Sequence, residues 1–382
     1  MKTCIYRLLG DLWEMHIDSH LVNESQVALV LCFASKTMLQ QPKAYQHVRD
    51  KFPSAEIALC STSGEIYHNQ VEDHAFVVVA MEFETTKIVA ASVNIKNYSN
   101  SYLAAASLAK QLPQADLVHL LIFSDGSLVN GSDLVKGLST QINKKVMVTG
   151  GLAGDDAAFS STLVGLNKQP IEGEIVAIGL YGKNIKIAHG SQGGWDQFGL
   201  EKRVTSASGN VLFEIEHQNA LELYKRYLGE ESKNLPGSAL LFPLSVTMPG
   251  SRNAVVRTIL SVNESEKSMT FAGDIPEGSY VRFMKANFTK LTYAAAEAAE
   301  LSLPDKKRYP DFSLLISCVG RKLILGSKTV EEVKSVAKTF NNNTIMAGFY
   351  SYGEISPFQD GGSCKLHNQT MTITSFYEDI TG

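Results

Sequence analysis

YSYGEIS at residues 350–356 repeats, with small changes, STSGEIY at 61–67, and GLAGDDA at 151–157 is a looser third version with Asp in place of Glu. A glycine followed by a carboxylate in one setting three times points to a repeated structural unit, and the flanking sequence supplies it. VALVLCFAS (27–35), VHLLIFSDG (118–126) and FSLLISCVG (312–320) are apolar runs that end in small or polar residues, as buried strands do. Each precedes a helix-compatible segment: MLQQPKAYQHVRDKF, GSDLVKGLSTQIN and TVEEVKSVAKTF, where Val330, Val333 and Val336 with Ala337 mark an apolar face. A second strand then runs into the Gly-acid pair, and a third follows in AFVVVAMEF (75–83), EIVAIGLYG (174–182) and QTMTITSFYE (369–378). Leu29 stands 35 positions before Gly64, Leu120 34 before Gly154, and Leu314 39 before Gly353. The repeat is therefore β-α-β-β, and the fold class is α/β, mixed α+β, built from three such units. Glycine at a strand-to-turn junction supplies positive φ or close backbone approach. Three equivalent junctions at strand ends are also expected to converge on a cleft, because ligands of α/β sheets bind beyond the carboxyl ends of strands.

At 382 residues the chain fits two domains, at about 150 residues each. Hydrophobic residues make up 44% and charged residues 19%, which excludes disorder by composition. The 35 basic and 39 acidic residues are interspersed and leave a net charge of −4, so neither a nucleic-acid face nor a polybasic membrane surface is expected. The apolar runs ALVLCFA and AFVVVAM reach seven residues, against the roughly 20 that a membrane helix requires. Asp11 and Glu14 interrupt the position of a signal-peptide core, which gives a cytoplasmic expectation. Five cysteines without a C-x-x-C pattern read as free thiols. Cys318, with Arg321 and His367, is the nearest approach to a nucleophilic constellation, but its place at the end of a buried strand reads as core, so no enzyme is expected.

Between the second and third units the pattern changes. IKIAHGSQGGWDQFG and KRVTSASGNVLFEIEH read as strands, NALELYKRYLGE as a short helix, residues 255–286 as a strand pair, and NFTKLTYAAAEAAELSL as an alanine-rich helix. The domain boundary is placed near residue 215, giving domains over 25–214 and 215–380, the second with a β-rich insertion.

FSDG (123–126), VTGGLAGDD (148–156), SCVGR (317–321), GFYSYGEISP (348–357) and HNQT (367–370) together resemble the FIST domains, an N-terminal and C-terminal pair found in signal-transduction proteins. The resemblance spans residues 25–378. It implies a cytoplasmic ligand sensor that regulates a partner histidine kinase or a cyclic-dinucleotide enzyme, and the free-standing arrangement is most similar to the nitric-oxide-sensing haemoproteins of this family. C-x-x-C-H is absent, so the implied cofactor is b-type haem. The alternative is a haem-free sensor of a small polar metabolite such as an amino acid.

The candidate pocket residues are Asp125, Asp155, Arg321, Glu354, His367 and Asn368, all at strand ends. Arg321 paired with a carboxylate such as Glu354 would grip a haem propionate or an amino-acid carboxylate. His367 opens the last strand of the third unit beside its Gly-acid loop and is the expected iron ligand. His74 opens the matching strand of the first unit and is the second choice.

Overall fold

The computed structural model describes residues 1–16, 19–304, 308–357 and 364–379. All three β-α-β-β units form as expected, with the first and second strands parallel and the third antiparallel to the first. They are Leu29–Ala34, Glu56–Ser61 and Phe76–Glu82; Leu117–Ser124, Met147–Leu152 and Glu174–Tyr181; and Phe312–Cys318, Met346–Ser351 and Met371–Glu378. Leu29–Ala34 and Phe312–Cys318 are buried throughout, because each sheet is covered on both faces. Pro42 divides the first crossover into Lys36–Leu39 and Ala44–Lys51, since a proline removes a helical hydrogen bond and clashes with the preceding turn. Among the described residues, asparagine side chains cap four α-helices: Asn100, Asn130, Asn219 and Asn287 each accept from a first-turn N–H.

Each unit contributes a fourth strand, Lys2–Leu9, Lys87–Asn94 or Ile185–Gln192, antiparallel to its third. Ile185–Gln192 was expected among the intervening material, but it pairs along its whole length with Met371–Glu378. The β-rich insertion begins after it. There, Asp196–Ser208 joins Tyr280–Lys285, Val211–Ile215 and five further strands in an eight-stranded sheet, with its own core around Tyr224, Phe271 and Phe283.

The Gly-acid pairs mark the points where the chain leaves one sheet for another. After its second strand, the first unit gives Glu65–Tyr67 and Gln70–Glu72 to the third sheet, the second gives Val164–Leu166 to the first sheet, and the third gives Gly353–Pro357 and Cys364–His367 to the second. The exchange is cyclic. The junctions touch pairwise: Ser63 N–H donates to Tyr350 O at 2.8 Å, Gly154 N–H to Ser61 O at 2.9 Å, and Tyr352 N–H to Leu152 O at 3.1 Å. Gly64 has φ +125°, and a Cβ on Gly154 would stand 2.3 Å from Ser63 Oγ, so both the conformation and the close approach select glycine. Between the sheets, the rings of Phe33, Phe123 and Phe349 form a triangle with centroids 4.9, 5.7 and 6.0 Å apart. The junctions therefore converge, as expected, but the space they enclose is filled by aromatic side chains.

Candidate functional site

The three acids beside the junction glycines are buried, and each ties its junction to the next segment of chain. Glu65 accepts from Thr62 Oγ1 and from Ala75 N–H at 2.9 Å. Glu354 accepts from Ser351 Oγ at 2.9 Å and from Thr370 N–H and Oγ1 at 3.1 and 2.7 Å. The geometry is the same in both: a hydroxyl three residues back, and the N–H of the residue just before the third strand. Burial pushes both carboxyls up to about 8, against the opposing pull of these donors. Asp155 behaves differently. Burial raises it, but the donors Tyr352 Oη, Ser161 N–H, Ser160 Oγ and Ser160 N–H outweigh burial and hold it below the usual carboxylate range.

The groups that Asp155 orients open onto a cleft of about 450 Å³. One wall is the loop 126–131 with Leu152, Phe159, Ser160 and Tyr352; the other is Asn210, Leu260, Phe271, Ala272 and Gly273 of the insertion. The Phe159 ring stacks on Tyr352 with centroids 4.6 Å apart, and Phe159 N–H donates to Tyr352 Oη at 3.0 Å. Asp125 shapes the loop from behind. Its carboxylate accepts from the N–H groups of Ser127 and Leu128, both at 2.7 Å, and of Gly173 at 2.8 Å. Asn130 caps the helix Gly131–Ser139 and also donates to Asp274 of the insertion at 3.2 Å. Leu128, Phe159 and Leu260 are 48%, 46% and 45% exposed at this cleft, although each is large and apolar.

Of the nominated residues, Asp125 and Asp155 support the cleft and the rest do other work. Arg321 does not pair with Glu354. Its Nε and Nη2 donate to Glu332 Oε2 at 2.9 and 2.6 Å, and Nη2 also donates to Leu291 O at 2.8 Å. Both charges are fully buried, and Ser317 Oγ satisfies the other Glu332 oxygen at 2.8 Å. Glu332 was missed, yet its position shows in the sequence: it stands four before Val336 on the inward face of its helix. His367 ends the strand Cys364–His367 rather than opening the last strand, and faces Glu354 across the ladder. Its Nε2 meets Ser356 O at 3.1 Å, and burial lowers its pKa to about 4. His74 is exposed, with φ 59°, two residues before Phe76–Glu82. Its counterpart in the third unit is Gln369, which has φ 62° two residues before Met371, and not His367. Asn368 is buried, with Oδ1 3.5 Å from Nη1 of the buried Arg257.

A b-type haem needs an axial side chain opening onto a large apolar cavity. Neither His367 nor His74 lines the cleft, His367 is 3% exposed within a strand ladder, and the junction centre is filled by the phenylalanine triangle. These residues do not fit the group. Among the described residues, no cluster of three or more His, Cys, Asp or Glu could hold a metal ion, and no helix is long and apolar enough to cross a membrane. The Cys318 thiol is pushed up by burial, away from the thiolate form that a nucleophile requires.

The FIST N domain matches residues 28–218 and the FIST C domain residues 220–357. A relative described as uncharacterized protein MJ1623, from Methanocaldococcus jannaschii, is 24% identical over 256 residues, which cover 61% of this chain and 45% of the relative. The chain thus spans about half the length of that relative. A solved cyanuric acid hydrolase aligns over 94% of this chain and 92% of its own, at 7% identity and a TM-score of 0.31, a likeness that carries no argument. The chain belongs to the FIST family of ligand-binding sensor domains in signal transduction.

Proposed function

We propose that this FIST protein senses a small polar metabolite, such as an amino acid, in the cleft between the loop 126–131 and the insertion, and that it works without haem. The observation that carries this reading is the cleft itself: three exposed apolar side chains ring a set of polar atoms that buried aspartates hold in place. Binding sites combine an apolar lining with a few positioned polar groups in this way, and exposed apolar surface of this kind marks an interaction site. The two walls belong to different parts of the chain, so a ligand that bridges them stabilises one arrangement of insertion and core over others. A protein partner, such as a histidine kinase or a cyclic-dinucleotide enzyme, reads that arrangement. The protein acts by binding, and no step of catalysis is required.

Thermal unfolding in the presence of amino acids and related polar metabolites tests the reading, because a ligand that binds only the folded state raises Tm with concentration. At least one compound is expected to raise it, and Ala272→Trp, which fills the cleft, abolishes the shift. A shift that survives Ala272→Trp places the ligand elsewhere. A stoichiometric Soret band in protein supplied with haem reverses the choice between the two sensor types.

A further inference from the structure

Phe159 is a large apolar ring that the surrounding chain keeps in the open. Its backbone has φ +50°, a region that non-glycine residues enter at a cost and that is concentrated at functional sites. Hydrogen bonds on both sides fix it there. Phe159 N–H donates to Tyr352 Oη at 3.0 Å, and the next two N–H groups, of Ser160 and Ser161, donate to Asp155 Oδ2 at 3.1 and 2.9 Å. Lys36 Nζ, 3.8 Å from the same carboxylate oxygen, ties that aspartate to the first unit. The Tyr352 ring covers one face of Phe159, with 19° between the two planes. What Phe159 presents to the cleft is therefore its other face and its edge, and the residue is 46% exposed. Aromatic faces are best met by other flat rings, offset-stacked or edge-on.

The rest of the lining narrows the class of ligand. Among the described residues, no Asp, Glu, Lys, Arg or His lines the cleft. A group bound inside it is met by neutral hydrogen bonding, because a charge taken out of water without a counter-ion is strongly disfavoured. Two such groups on the lining carry no hydrogen bond among the described residues: Ser127 Oγ, and Asn210 Oδ1, whose amide nitrogen donates to Phe271 O at 2.8 Å. Leu260 borders the space from the opposite wall, so a ring lying on Phe159 keeps its second face against apolar surface as well. The volume of about 450 Å³ falls among pockets that enclose whole ligands, roughly 300–1,000 Å³.

We propose that the cleft binds a planar aromatic or heteroaromatic ring with neutral hydrogen-bonding groups, stacked on Phe159, its polar edge paired with the open groups of the lining. The inference rests on the cleft being the sensory site, as proposed above, and names the ligand class it takes.

Matched pairs of compounds isolate the ring: L-phenylalanine against cyclohexylalanine, and uracil against dihydrouracil. Each pair shares its polar groups and differs in the flat conjugated ring, which the first carries on an amino acid and the second as a free base. Thermal unfolding of the full chain is read with each compound. The flat member of at least one pair is expected to raise Tm at about a fifth of the concentration that its saturated partner needs, or less. That advantage is lost in Phe159→Leu, which keeps an apolar side chain on the same backbone, and kept in Phe159→Tyr. The shift itself disappears in Ala272→Trp. If flat and saturated members act alike through the cleft, if the preference survives Phe159→Leu, or if neither flat member shifts Tm, the ring class is overturned while the cleft stands or falls with the other metabolites. Shifts that survive Ala272→Trp overturn the sensory reading of the cleft and the ring class with it. The comparison of pairs in the wild type decides the matter even if Phe159→Leu fails to fold.

Discussion

Glu65 and Glu354 show how a side chain that looks like a ligand group can serve the fold. Each was singled out by its place beside a repeated glycine, and each ends buried on a hydroxyl and a backbone N–H of its own unit. Their folded carboxyls titrate at about 8 against an ordinary value of 4.5. The folded state therefore binds these protons more tightly than the unfolded state. The sign follows by linkage: their contribution to stability is complete below the ordinary value and is lost as pH rises from about 4.5 to 8. The buried His367 pulls the other way below about 6.5, so the test is the difference between proteins: in Glu354→Gln, which carries no titrating proton, the denaturation midpoint is expected to fall less with pH than in the wild type between about 4.5 and 8. An unchanged slope in Glu354→Gln would remove this carboxyl from the pH dependence. His367 is a second case of a ligand-type side chain held by the fold. A histidine beside a turn has the profile of a metal ligand, but burial lowers its pKa to about 4 and its ring contacts a backbone carbonyl.

Elements, rather than single residues, are what Arg321 holds. It sits on the helix Val319–Leu325, pairs with Glu332 on Thr329–Thr339, and donates to Leu291 on Phe288–Leu301, so one guanidinium joins three helices over the third sheet. Removing one member of a buried pair leaves the other charge without its counter-ion, at about 3–5 kcal/mol, whereas replacing both by apolar groups of similar volume is often close to neutral. Arg321→Met is expected to lower stability by about that amount, and Arg321→Met with Glu332→Leu to recover most of it. Chemical denaturation of the three proteins checks this, and a double variant as unstable as the single would show that the carbonyl contacts of Arg321, not the pair, are what matters. The pairing of Arg321 with Glu354 was a reasonable expectation, since both lie at strand ends of one unit. Helix packing chose Glu332 because it points inward from the helix that crosses directly above.

The whole molecule is a ring of exchanged strands, and its cooperativity follows from that. Residues 1–218 contain the strands Glu65–Tyr67 and Gln70–Glu72 without the third sheet they complete, and their second sheet lacks Gly353–Pro357. The phenylalanine triangle also loses Phe349. Expressed alone, this fragment is expected to lack fixed tertiary structure, read as a loss of near-ultraviolet circular dichroism and of dispersed amide resonances. A fragment that unfolds cooperatively would show that the exchanged strands are accessory. In the full chain a single unfolding transition is expected for the three repeated units, because each sheet needs chain from two of them.

The repeat was legible in the sequence because it is local. Apolar runs, crossover helices and the spacing to each glycine lie within some 40 residues of one another, and side-chain periodicity reports them directly. Family membership was legible for the same reason, since its motifs are the strand ends of those units. The destination of the chain after each Gly-acid pair was not legible, because three to five residues of strand can complete any sheet whose edge is open, and the choice depends on where the other units lie. Nor was the cleft, whose walls join the loop 126–131 to Gly273 and Asn210, residues that carry no pattern until the insertion packs beside the loop. Asp125 and Asp155 were singled out from their position alone, but only the tertiary structure decided that they brace the walls of this cleft from behind while Arg321, Glu354 and His367 hold the fold. Local pattern sets which segments are strands and helices; which polar groups remain open to a ligand depends on what each one meets across the chain.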